Sequence, residues 1–182
     1  VITVGGTAIV FIAIALVLHE RRSTVTPSTQ PAFTLQAGKP FVFELGRGSG
    51  LGGLDIVEVH ETGVVRLQRG THPPLVESTS LNLTPAQVTE LVMLVNDQPL
   101  TRLGAVYDGK ISDGTQWVLW IRQGPFVKSV YFNNAFPGEI TTVADRLDAT
   151  LQAAGLQRAK WSAVPGTAGR DYEKALWSRV AP

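Results

Sequence analysis

The first eighteen positions, VITVGGTAIVFIAIALVL, carry no charge and show neither strand-like nor amphipathic alternation. As a helix this run rises about 27 Å, close to the hydrocarbon thickness of a bilayer. His19, Glu20, Arg21 and Arg22 end it abruptly. The pattern predicts a transmembrane helix at residues 1–18, with His19, Arg21 and Arg22 at the membrane interface. A secretory signal peptide is the rival reading, with Ala13-Ile14-Ala15 as a cleavage-like site, but no basic n-region is visible before the apolar run. Gly5, Ala8, Ile12 and Ala15 share one helical face of mostly small residues, which suits close packing against another helix.

Residues 19–32 read as a juxtamembrane linker, polar and proline-punctuated from Ser23 to Pro31. Residues 33–155 read as a soluble α+β domain. Pro40–Leu45 has strand composition, Leu54–His60 alternates apolar and polar residues, and Val64–Gln68 returns after a turn at Glu61-Thr62-Gly63. Thr84, Pro85 and Gln87 mark a helix start with a capping box, and Val88, Leu91, Val92 and Val95 follow at helical spacing. Thr115–Arg122 and Val127–Phe132 form a second hairpin around Gly124-Pro125. Ile140, Val143, Leu147, Leu151 and Ala154 line a second helix, with Gly155 at its cap. The expected order is β-β-β-α-β-β-α, an antiparallel sheet of two hairpins with two helices on one face. Residues 156–182 form a basic tail with a short helix over Asp171–Val180 bearing Tyr172, Leu176, Trp177 and Val180.

Composition narrows the functions. The 182 residues carry a net charge of +1, too little for a general nucleic-acid surface, and no cysteine, which removes disulfides and thiol chemistry. Gly48, Gly50 and Gly53 satisfy G-x-G-x-x-G, yet a strand follows where a dinucleotide site needs a helix. The glycines therefore read as a hairpin connection, with Arg47 beside them as an anion or partner contact. Asp55, Glu58, His60 and Glu61 cluster on one strand, but alternation splits them two to a face. That strand face reads as solvated. Trp117 and Trp120 point to opposite sides of their strand, one of them into the core. Trp161, Tyr172 and Trp177, in the basic tail, are further candidate partner contacts.

Phe41–Val65 (FVFELGRGSGLGGLDIVEVHETGVV) resembles the glycine-containing opening hairpin of the emfourin-like protease inhibitors, over less than a fifth of the chain. The resemblance implies a binding module and transfers no inhibitory residue. No acid/base pair, nucleophile, metal set or cofactor motif emerges, so the chain reads as non-enzymatic and cofactor-free. The leading expectation is a single-pass accessory subunit of a larger bacterial membrane complex, photosynthetic reaction-centre–antenna ahead of respiratory. Its partners would be other membrane-protein subunits and the lipid bilayer, with no nucleic acid. The location would be the bacterial inner membrane; Arg21 and Arg22 point the soluble domain to the cytoplasm, and a basic stretch upstream would reverse this to the periplasm. The alternative is a membrane-tethered binding module that recognises a protein, a peptide or an anionic ligand.

Overall fold

The computed structural model describes residues 23–49, 52–72, 75–164 and 168–180. Nine strands form one mixed sheet: β1 (Thr24–Thr26), β2 (Phe41–Ser49), β3 (Gly53–His60), β4 (Val64–His72), β5 (Leu75–Asn82), β6 (Val106–Asp108), β7 (Thr115–Gln123), β8 (Phe126–Asn133) and β9 (Ser162–Ala163). Their order across the sheet is β1-β6-β8-β7-β2-β3-β4-β5-β9. Only β6 and β8 run parallel; every other pairing is antiparallel. Three α-helices, α1 (Pro85–Asp97), α2 (Gly138–Ala153) and α3 (Ala168–Ser178), and two single 3-10 turns, Leu100–Arg102 and Leu156–Arg158, complete the described fold.

The two faces of the sheet differ because side chains alternate along each strand. On one face Phe43, Leu45, Val57, Val59, Leu119, Ile121, Val130 and Phe132 are buried together. α1 covers them with Val88, Leu91, Val92 and Val95, and α2 with Ile140, Val143, Ala144, Leu147 and Leu151. Each such side chain contributes roughly 1.5–3 kcal/mol by leaving water. Thr84 and Gln87 cap α1 reciprocally, so its first turn has partners before any tertiary contact forms. On the opposite face α3 seals a smaller apolar cluster of Leu54, Ile56, Val118, Leu176 and Val180.

This architecture corrects the expected fold class. A sheet of two hairpins under two helices is replaced by nine strands with helices on both faces. Thr24–Thr26, expected in the linker, pairs with β6 as an edge strand, since Thr-Val-Thr is β-branched throughout. β5 extends the meander, and β9 turns part of the presumed tail into the opposite edge. The membrane expectations are corrected as well. Among the described residues no helix is long and apolar enough to cross a membrane, the longest being the sixteen-residue α2. The anchor at 1–18, with Gly5, Ala8, Ile12, Ala15, His19, Arg21 and Arg22, lies outside the described residues. The anchored fold class, the bacterial inner-membrane location and the photosynthetic assignment are accordingly not carried forward.

The glycine run finds its reason in strand pairing. Gly46, Arg47 and Gly48 are not loop residues but ladder positions of β2, paired with β3 on one side and β7 on the other. A Cβ on Gly48 would lie 1.9 Å from the carbonyl oxygen of Gly53, so the strands approach too closely there for any side chain. Gly48→Ala is expected to destabilise the protein by about 3 kcal/mol, because its obstacle is backbone and cannot rotate away. Urea denaturation measures this; a midpoint equal to wild type would show that the hairpin is not so tightly closed.

Candidate binding site on the polar face of the sheet

Beneath α3 the strand register sets four polar or aromatic residues in one row: Arg66 on β4, Glu58 on β3, Glu44 on β2 and Trp120 on β7. Glu44 and Glu58 are direct cross-strand neighbours, and both are buried, at 2% and 6% exposure. Like charges in that arrangement are destabilising unless each finds an opposite partner. α3 and the turn after it bring a cation to one and a neutral hydroxyl donor to the other. Arg179 bonds the Glu44 carboxylate and stacks over Trp120, its guanidinium carbon 4.1 Å from the ring centroid. The Tyr172 hydroxyl donates to Glu58. Glu58 also takes His60 and, at 3.0 Å, Arg66.

The two carboxyls respond oppositely to this surrounding. Burial raises Glu44 above the usual carboxylate range, and the Arg179 contact only partly offsets it. Burial acts upward on Glu58 too, but Tyr172 and His60, with the charges of His60 and Arg66, outweigh it and hold Glu58 below that range. Burial and the bond to Glu58 push the Tyr172 hydroxyl far above its ordinary value, so it remains a donor. α3 is anchored further by Glu173, which accepts from the Leu54 amide and the Trp177 indole, both at 3.2 Å.

Between this network and β5 lies a groove of about 720 Å³, lined among others by Arg66, Gln68, Ser78, Ser80, Lys160 and Tyr172. Arg66 is 66% exposed in its side chain, and the ion pair to Glu58 fixes its position without consuming its five donors. Lys160 is exposed, and its carbonyl accepts from the Thr79 hydroxyl, which holds the chain after α2 against β5. Two cationic residues and five hydroxyl-bearing ones, Ser78, Thr79, Ser80, Ser162 and Tyr172, thus line one concavity. Such a set binds carboxylates or phosphates.

The candidate contacts from the sequence fall unevenly around it. Tyr172 lines the groove, and Trp177 is half-buried on the same helix against Tyr131. Trp161 lies against the other face of the sheet, with the Arg69 guanidinium 4.1 Å from its ring. Arg47 is occupied internally: it clamps Asp148 of α2 at 2.8 and 2.6 Å, beside Trp117. Trp117 is the tryptophan of the apolar core, whereas Trp120 belongs to the polar row. The β3 face bearing Glu58 and His60 is not solvated as expected, because α3 covers Glu58. Sequence reading missed Glu44, Arg66, Ser78, Ser80, Lys160 and Arg179. The available signal was Tyr172, Leu176 and Arg179 at i, i+4 and i+7, a mixed apolar and polar face made for a polar surface.

Elsewhere, Lys128 is fully buried on the core face of β8, with its ammonium on the Leu103 carbonyl, and burial lowers its pKa. Among the described residues no three His, Asp or Glu side chains converge as a metal set. No protein-family model matches the chain, and no curated protein matches its sequence.

The opposite shifts predict opposite pH dependences. Glu58 titrates lower in the folded state, so its contribution is present above the unfolded value near 4.5 and is lost as pH falls through the lowered one. Glu44 titrates higher, so its contribution is present below 4.5 and is lost as pH rises through the raised one. Melting temperatures taken from about pH 3 to 8 test this. The advantage of wild type over Glu58→Gln should shrink toward acid, and that over Glu44→Gln toward neutral pH; parallel curves would contradict the assignment.

Proposed function

We propose that this protein is a non-catalytic binding module whose groove between β4, β5 and α3 takes an anionic segment of a partner protein. The observation that carries the reading is the pairing of Arg66 and Lys160 across a concavity that also holds Ser78, Ser80 and the Tyr172 hydroxyl. Glu58 positions the Arg66 guanidinium before any ligand arrives, which reduces the ordering cost of binding. The volume, about 720 Å³, falls in the range that ligand sites occupy and exceeds what a lone phosphate fills. An acidic peptide chain matches both the size and the charge. The weak net charge of +1 favours this local recognition over nucleic-acid binding.

The groove's serines serve as donors rather than nucleophiles, while the Tyr172 and Thr79 hydroxyls already donate within the protein. The histidine of the polar face, His60, is bonded to Glu58, and it is not among the residues that line the groove. A serine without a base in reach does not attack a carbonyl. Recognition, with partner assembly as its outcome, is therefore the activity assigned to this site.

Fluorescence anisotropy with a labelled Glu-rich peptide tests the proposal. Wild type should bind it in preference to a Lys-rich peptide, and added salt should weaken the complex. Arg66→Ala and Lys160→Ala should each lower affinity by about tenfold while leaving the thermal melt nearly unchanged. Equal binding of both peptides, or full binding by the double variant, would remove the groove from consideration.

A further inference from the structure

The helix layer on the other face of the sheet carries a second concavity, of different character. α1 and α2 meet through buried Leu91 and Leu147 and leave an outward groove of about 420 Å³ between them. Its surface is largely apolar. Met93, 58% exposed, and half-buried Leu94 line it from α1; Ala149 and Ala153 line it from α2. The alanines are one turn apart, so that wall lacks side-chain bulk over the distance where another helix would approach. Methionine suits the opposite wall, because its unbranched side chain repacks against varied apolar partners.

The rim is charged, and it is polarised. Glu90 and Asp97 line the groove from α1, seven residues apart and hence about 10 Å along the helix. Arg146 lines it from α2. Among the described residues no ion pair engages any of the three. An apolar floor between an acidic wall and a basic one fits a particular occupant. We infer that this groove docks an amphipathic helix of a partner protein, with an apolar stripe on the floor and basic residues two turns apart on the flank facing α1. Among the described residues α3 is not free to be that occupant, since Leu176 is buried against the sheet on the other side. The surface is separate from the anion groove and does not depend on it. Together the two would join an acidic segment on one face to a basic helix on the other.

The test uses the full-length chain, labelled with nitrogen-15, and a synthetic amphipathic helix of about eighteen residues with a leucine stripe and lysines two turns apart. A twin peptide carries glutamates in place of the lysines. The lysine peptide should bind with micromolar affinity and shift the amide signals of α1 and α2 around Met93. The glutamate twin should bind about tenfold more weakly. Glu90→Lys with Asp97→Lys should invert that preference, and Met93→Lys should weaken both peptides without altering the thermal melt. The inference is overturned by equal affinity for the two peptides, by shifts confined to other surfaces, or by no binding. It is overturned equally by sedimentation showing a dimer whose interface contains Met93, since the occupant would then be a second copy.

Discussion

Glu44 and Glu58 face each other across the β2–β3 ladder, with their side chains on the same buried side of the sheet. Directly opposed residues sit about 5 Å apart at Cβ, and an uncompensated charge at such depth costs several kcal/mol. Compensation comes from far along the chain. Tyr172 on α3 and Arg179 in the turn just after it are seven residues apart, and each reaches a different glutamate. Leu176 lies between them, with its methyl group against the space where Gly46 has no side chain. Two residues of α3 and one from the turn that ends it thereby fix the helix in position and register. Polar contacts of this kind specify an arrangement more than they stabilise it.

The division of labour between the two faces follows. The apolar face, with Phe43, Leu119, Ile121 and Phe132 under α1 and α2, accounts for most of the buried hydrocarbon. The polar face contributes recognition. Glu58 holds both Arg66 and Tyr172, one a cation at the groove and the other part of its wall. The proposed ligand site and the docking of α3 therefore share a group, and the site is complete only with the helix in place.

Local pattern made part of this legible. The alternation in β3, β7 and β8 and the Thr84–Gln87 cap each have a short-range cause that can be read within a few residues. β1, β6 and β9 are two or three residues long, too short to show a period, and β5 is a Ser/Thr-rich segment whose strand state depends on pairing with β4. The glycines of β2 hid a strand, because their role is close approach to β3 rather than turning. Glu58 read as solvated and Glu44 drew no reading at all, because the groups that pair them are 114 and 135 positions away. Spacing in sequence carries no trace of such a contact. The hydropathy of Val1–Leu18 spoke only for itself, and the described residues hold no membrane-crossing helix to join it.

The order of the strands has a mechanical consequence. β1 and β9, the first and last of the described strands, form the two opposite edges of the sheet. Tension applied between them runs across the strands and loads the ladders in series, as in opening a zipper rather than shearing one. Under such a load the short ladders yield first: β1 holds β6 through three residue pairs, and β9 holds β5 through two. The long ladders of β2 with β3 and β7 would stay intact while the margins peel away. The sheet is thus built to give at its edges under a pull and to keep its centre, with the polar row, until last.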